Sequence, residues 1–476
     1  MIVSKLRDAY DLVVVGSGFG SLFFVEAYQR KFPRASIAIV ERGDYRSYGW
    51  QIQNNRNSAI DINRLHATRR GEKVWNYTIG FGGGLNCWSG QTPRFHPSDF
   101  RTKSLYGRGV DWPVSYDELE PFYILAENRM GIAGDMSMSA VLPRSRPFPQ
   151  PAHRLTRIDQ IMRAAQPEMH VPISCARASI ADENRSACCS TGRCNLCPVN
   201  AKFSVDSGFR GMIEDPGVDI LLNAEVRTID HANGAASGIG YRREGVDGAV
   251  SGDLIVLGAN GIHSPAILLR SGISDHWVGR GLHEQHSVYQ EIYLDGVENF
   301  DGGSYTTALN YSLYDGPHRK DYAGTLVYFE NRWPFGLRPE KNKWRMTLPL
   351  WLSIEDLPSP EHRVVLDDND NPLIEHPHVS DYALTGTRKA VEKLPQMLAP
   401  LPVEDIIDRG VVGTASHIQG SVRMGQSQED SVVDRGLLHH SIRNLMIVGT
   451  GVIPTSSAAN PSLTAAALSL HAADLL

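Results

Sequence analysis

Apolar and polar positions change their rhythm several times along the chain. Leu12–Val15 and Ile37–Val40 are unbroken apolar runs. Such runs mark parallel strands buried on both faces rather than one-sided strands. Between them Gly16-Ser-Gly-Phe-Gly20 interrupts the pattern and Leu22–Tyr28 resumes it, so the stretch predicts strand, tight turn, helix, strand. Val218–Val226 predicts a short strand. Leu254–Leu257 predicts a second buried strand, ended by a glycine turn at Gly258 and followed by a helix over Ser264–Arg270 with Pro265 in its first turn. Asp111–Tyr123 leads into a helix running to about Met130. From 290 to 407 the pattern alternates, as at Thr347–Ile354 and Arg363–Leu366, which predicts an antiparallel sheet followed by a helix near Asp381–Met397. The last part returns to a buried strand, Asn444–Val448, then Gly449, a loop and a helix from about Leu463. The fold class is α/β.

The first glycine turn carries specific chemistry. Gly16 permits the tight turn. Gly18 lets backbone N–H groups approach a pyrophosphate, which would rest on the N-terminus of the following helix. The third glycine position is Ser21, small enough for close packing of helix on strand. Glu41 ends the second strand, where a carboxylate accepts hydrogen bonds from ribose hydroxyls. The strand before, the helix after and the acid beyond agree on a dinucleotide site. A second run, Gly80-Phe-Gly-Gly-Gly84 with Asn86-Cys87-Trp88, is too rich in glycine for an element interior. It predicts a loop whose backbone approaches a ligand.

Bulk properties narrow the functional classes. The 476 residues are ample for a large core, and a net charge of −6 with 21% charged residues shows no basic footprint for nucleic acid. No stretch reaches the roughly 20 apolar residues of a membrane helix. Met1–Tyr10 is short and charged, unlike a secretory leader, so the cytoplasm is the default location. Four of the six cysteines, Cys188, Cys189, Cys194 and Cys197, crowd one short segment, unlike a disulfide framework spread over a secreted chain.

Taken in order, the motifs resemble those of the glucose–methanol–choline (GMC) flavoprotein oxidoreductases, over nearly the whole chain. The opening turn matches the family's FAD-binding turn. Gly82–Pro93 is similar to its flavin-contacting loop, as found in pyranose oxidases and bacterial sugar and polyol dehydrogenases. Asp111–Tyr123, Leu257–Gly272, His417–Gly425, Val448–Gly451 and Asn460–Thr464 follow in register. The resemblance implies a discontinuous Rossmann-like FAD-binding domain from residues 1–130, 198–289 and 408–476. It further implies a surface excursion over 131–197 that holds the cysteine segment, and a substrate-binding domain with an antiparallel sheet over 290–407. It implies FAD contacts at Gly16, Gly18, Ser21, Glu41, Arg42, Gly83, Asn86, Cys87, Val226, Gly449, Thr450 and Thr464. It also implies oxidation of a CH–OH group of a sugar, amino sugar, polyol or related hydroxy compound. His417 is then the base, suited to the task near neutral pH, and Asn460 the partner that hydrogen-bonds the developing alkoxide.

Two cysteine features bear on the electron route. Cys87 stands where pyranose oxidases hold a histidine bonded to flavin, and reads either as a thioether site or as a small residue beside non-covalent FAD. The segment Cys188-Cys189…Cys194…Cys197-Pro resembles that of bacterial membrane-associated dehydrogenases, in which cysteines ligate an iron–sulfur cluster. Zinc, a disulfide and simple packing are the other readings. A cluster implies a dehydrogenase with a protein or quinone acceptor, and export with a partner subunit is compatible with that. Without a cluster, an oxidase using O₂ fits. Rival functions are a flavin-retaining hydroxynitrile-type lyase and an electron-carrying subunit. Of the other histidines, the pair His439-His440 predicts an exposed turn, and His471 predicts capping of or packing on the last helix.

Overall fold

The computed structural model describes residues 1–331 and 343–476. Strand β1 (Ala9–Val15) lies in a seven-stranded sheet, parallel to β2 (Ile37–Val40) on one side and to β3 (Val246–Leu257) on the other, with Leu12 opposite both Ile37 and Leu254. Helix α1 (Phe19–Lys31) joins β1 to β2. Leu12–Val14 and Ile37–Ile39 are wholly buried, as their unbroken apolar composition requires. Val218–Leu221 extends the sheet beyond β2. The long β3 changes partner along its length. Its first half pairs antiparallel with Ala235–Arg243, and its last residues pair parallel with Leu445–Ile447. Helix α2 (Asn260–Arg270) follows β3, and α3 (Ser462–Asp474) packs against α1 and the helix Tyr116–Met130. The alanines at 465–467 of α3 keep that packing close, and the helix is buried nearly all round.

Two expectations are corrected here. Val218–Val226 is not one strand: Asn223 adopts a left-handed φ of 56° and divides it into Val218–Leu221 and Ala224–Ala232, the latter forming a hairpin with Ala235–Arg243. Helix α2 begins at Asn260, four residues ahead of the expected start. The Asn260 side chain accepts hydrogen bonds from the N–H groups of Ile262 (2.8 Å) and His263 (3.0 Å), which caps the extra turn.

The second sheet is antiparallel and six-stranded. Its order is Val403–Val411, β4 (His286–Leu294), β5 (Thr347–Ile354), Thr325–Glu330, Thr306–Asn310 and His170–Pro172. The expected boundaries at 289/290 and 407/408 therefore fall inside strands. The 131–197 excursion contributes an edge strand and buries Ile132, Met138 and Leu142. A separate hairpin, β6 (Arg363–Leu366) with β7 (Pro372–Glu375), pairs with Ala67–Arg70, so the two alternating segments belong to different sheets.

The region of the second sheet is tied to the N-terminal part of the chain by ions as well as by packing. Arg319, wholly buried, donates to Glu355 just past β5 (2.9 Å) and to Asp99 from the N-terminal part of the chain (2.9 Å). Contrary to expectation, His439 is buried, 3.2 Å from Asp275, while His471 packs edge-on against Phe122. Among the described residues no helix is long and apolar enough to cross a membrane.

Candidate active site

The carboxyl ends of β1, β2 and β3 meet at the first glycine turn. Gly16 has φ +81°, and a Cβ there would lie 2.8 Å from the Gly258 carbonyl oxygen. A Cβ on Gly20 would lie 2.5 Å from the Gly449 nitrogen. Those two glycines let α1 close onto the turns after β3 and after Leu445–Ile447. A Cβ on Gly18, in contrast, would meet nothing within 4 Å: that side of the turn is open at the helix N-terminus. Glu41 accepts from the Ser17 N–H (3.1 Å), the Ser17 hydroxyl (2.7 Å) and the Gly43 N–H (2.9 Å). Ser17 Oγ in turn accepts from the Gly82 N–H at 3.0 Å, which pins the second glycine loop to the first.

A cavity of about 590 Å³ opens from this turn and runs to the second sheet, where Trp351 of β5 lines it. That volume lies in the usual range of ligand and cofactor sites. Gly16, Gly18, Glu41, Arg42, Gly83, Cys87, Val226, Gly449 and Thr450 line it, as do His417 and Asn460. Three expected contact residues stand behind the wall instead. Ser21 is buried where α1 packs on Gly258, its hydroxyl lacking a partner. Asn86 turns its amide to the Phe81 carbonyl (2.8 Å), and Thr464 bonds the Tyr123 hydroxyl (2.8 Å). In each case packing of the supporting element uses the side chain.

At the far end of the cavity, His417 Nε2 and Asn460 Nδ2 are 3.1 Å apart. Their partners set the orientation of both groups. Gln285 donates its amide to the carbonyls of Ser457 (2.7 Å) and Ala459 (3.0 Å), which leaves its oxygen facing His417 Nδ1 at 3.0 Å. Asn460 Oδ1 accepts from the Tyr328 hydroxyl at 2.7 Å, so Nδ2 is the atom turned to the histidine. Nδ1 therefore carries the proton and Nε2 presents its lone pair. The His417 backbone N–H donates to Glu284 (2.6 Å), itself paired with Lys73 (2.7 Å), and Ser416 before it holds φ +60°. A left-handed non-glycine residue is strain held by its surroundings. Burial, against the raising effect of Glu284, brings the His417 pKa down to about 4. Trp351 of the second sheet, Tyr305 just before the strand Thr306–Asn310, and Gln91 complete this end.

Glu284, Gln285 and Tyr328 were invisible to motif reading. The only trace was the polar run His283-Glu-Gln-His286 directly before an apolar strand.

The cysteine segment reaches the cavity through Gly192, Cys194 and Asn195. Its four thiols, the expected iron–sulfur ligands, sit in different settings. Ser190 (φ 56°) and Gly192 (φ 72°) redirect the chain between the two pairs. Cys189 is exposed, Cys194 is buried, Cys188 Sγ approaches Ser304 Oγ (3.9 Å), and Cys197 Sγ accepts from the Ala201 N–H (3.2 Å). All six cysteines are free thiols. Two buried cations, Arg177 and Lys202, stand among them, and among the described residues neither forms a carboxylate ion pair. Lys202 donates to the carbonyls of Asn86 (2.8 Å) and Trp88 (2.9 Å), and burial lowers its pKa to about 8. Burial opposes ionisation of Cys175, but Arg177 and His153 outweigh it and bring that thiol down to about 6. Cys87 faces the cavity, with the Thr78 hydroxyl 3.0 Å from its sulfur.

Comparison with known proteins places this geometry in a family. Two models described as GMC oxidoreductase match residues 149–287 and 375–469, the second containing His417 and Asn460. The fructose dehydrogenase large subunit of Gluconobacter japonicus is 27% identical over 98% of this chain and 97% of its own. The 6'''-hydroxyparomomycin C oxidase of Streptomyces lividus is 26% identical over 97% and 90%. Among solved structures, a formate oxidase of Aspergillus oryzae, from a study of FAD modification, superposes with a TM-score of 0.71 at 14% identity, covering 99% of this chain and 98% of that one. The chain belongs to the GMC oxidoreductase family.

Proposed function

We propose that the chain holds FAD in this cavity and oxidises a CH–OH group of a sugar, amino sugar, polyol or related hydroxy compound to the carbonyl. The cradle fits the cofactor: the open side of Gly18 at the N-terminus of α1 suits a pyrophosphate, and Glu41 and Arg42 stand at the end of β2, where a ribose would lie. When bound, FAD supplies the acceptor for the hydride leaving the carbinol carbon.

The observation that carries the reading is the 3.1 Å pair of His417 Nε2 and Asn460 Nδ2, with the histidine tautomer held by Gln285. A substrate hydroxyl entering between them gives its proton to Nε2 and accepts a hydrogen bond from Asn460 Nδ2. Gln285 Oε1 keeps its hydrogen bond to Nδ1 as the imidazolium forms. Asn460 Nδ2 steadies the oxygen as negative charge develops on it, and Tyr328 holds that amide in place. Mixing the anaerobic flavoprotein with candidate sugars and polyols tests this: flavin absorbance should bleach. Absence of bleaching with all of them, joined to cyanohydrin cleavage, would establish the lyase instead.

As to the acceptor, a dehydrogenase passing electrons to a protein or quinone is supported by the fructose dehydrogenase large subunit's likeness and by Cys194 at the cavity wall. An oxidase is supported by the likeness to the hydroxyparomomycin enzyme. Turnover with O₂ against an artificial quinone, measured beside iron content, separates the two. Stoichiometric iron would assign the cysteine segment a cluster, and flavin without iron would favour the oxidase.

A further inference from the structure

Away from the cavity, the open end of the β6–β7 hairpin gathers an unexplained set of side chains. Arg363 pairs with Glu375 across the hairpin. Continuing that register sets His362 opposite His376, with His378 two residues further on the same face of the strand direction. The His362 and His376 rings stack with centroids 4.0 Å apart, and the His362 and His378 rings lie 5.1 Å apart. His378 Nε2 is 3.6 Å from a Glu361 carboxylate oxygen. One ligand atom each from Glu361, His362 and His378 lie within 4.8 Å of one another, and among the described residues no other group of three histidine, cysteine or acidic side chains does so.

A surface ion pair accounts for Glu361 and His378, both exposed. It does not account for His362. That ring is 1% exposed, and neither of its nitrogens has a hydrogen-bond partner. Leaving both nitrogens of a buried imidazole unpaired is costly, and native interiors rarely do so. A ligand on one nitrogen relieves that cost at that atom.

We infer that Glu361, His362 and His378 form a binding site for a divalent first-row transition-metal ion, with zinc the best fit. Two imidazoles and one carboxylate are a donor set for zinc or its neighbours rather than for calcium or magnesium. From the usual zinc bond lengths, tetrahedral ligand atoms stand roughly 3.3 Å apart, so small rotations of the exposed His378 and Glu361 side chains close the set. A fourth position stays open to water. None of the three residues lines the large cavity, so the ion is assigned no part in the oxidation. It would clamp the hairpin's open end, whose His362 carbonyl accepts from the Leu282 N–H at 3.0 Å. Leu282 is three residues before Gln285, so the clamp stiffens the segment that holds His417.

The site is independent of the proposed oxidation, and its test does not use activity. Full-length protein is freed of metal and titrated with Zn²⁺, and with Co²⁺ for its d–d absorption bands. One equivalent should bind and raise the thermal unfolding midpoint. His378→Ala and Glu361→Gln, both at exposed positions, should leave the metal-free midpoint unchanged and weaken binding by about tenfold or more. No stoichiometric binding would overturn the proposal. So would undiminished binding in both variants, which would locate the metal elsewhere, as on the cysteine segment.

Discussion

Gln285 uses both amide hydrogens on the Ser457 and Ala459 carbonyls, so the only atom it can offer His417 is its oxygen. The histidine tautomer thus follows from backbone carbonyls on the Asn460 loop, and the proposed base is ready before substrate arrives. Replacing His417 by alanine should lower kcat/KM by roughly 10²–10⁴-fold while flavin content is retained. Loss of flavin along with activity would point to a binding role. The pH dependence has a definite sign. The base works when neutral, and burial holds its pKa at about 4, so kcat/KM should rise through pH 4 and be level near neutrality. Gln285→Glu sets a carboxylate beside Nδ1, which favours the imidazolium. Its acid limb should move to higher pH, whereas a merely structural role for Gln285 would lower the rate without moving the limb.

At the scale of elements, the glycine turns distinguish packing from binding. Gly20 faces backbone: a methyl there would lie 2.5 Å from the Gly449 nitrogen, so Gly20→Ala should push α1 off the Gly449 turn and destabilise the fold by about 1–3 kcal/mol. Gly18 faces open space at an extended backbone, φ −75°, so Gly18→Ala should unfold at the parent temperature yet release FAD more readily. Thermal unfolding and cofactor release read the two effects separately, and a stability loss at position 18 would contradict the assignment. Sequence reading could see this end of the molecule because its signals are local. Unbroken apolar runs mark β1 and β2, and glycines mark the turns between elements. The Ala224–Arg243 hairpin escaped because it lies at one end of the sheet, with Ala224–Ala232 as the edge strand, and carries Glu225, Arg227, Arg242 and Arg243 among apolar residues. Ser21, Asn86 and Thr464 sit within motifs that do reach the cavity, but periodicity does not tell which side of a turn a side chain takes. Gln285, just before β4, and Tyr328, in the strand Thr325–Glu330, are far along the chain from His417 and Asn460 and meet them only in the folded chain.

For the whole molecule, buried charge and buried neutral histidine decide how it fails. Arg319 joins Asp99 and Glu355 with no exposed surface, so Arg319→Met would leave two carboxylates enclosed and should cost about 3–5 kcal/mol. Acid acts through a different set. His283 is fully enclosed with Nδ1 2.6 Å from the Gly281 carbonyl oxygen, and burial brings its pKa down to about 4, as it does for His417. An unfolded histidine titrates near ~6.5. Below that pH the unfolded chain takes up protons that the folded chain refuses until its own histidines titrate. The stability held above ~6.5 is therefore lost as pH falls through the window down to about 4, at about 1.4 kcal/mol per pH unit for each fully enclosed histidine. Carboxylates barely contribute above the middle of that window, since their unfolded values lie near ~4. Thermal midpoints measured from pH 7 to pH 4.5 should fall steadily, and His283→Asn, which removes one titrating ring, should flatten the slope. A midpoint independent of pH across this range would mean that these rings are not held neutral by the fold.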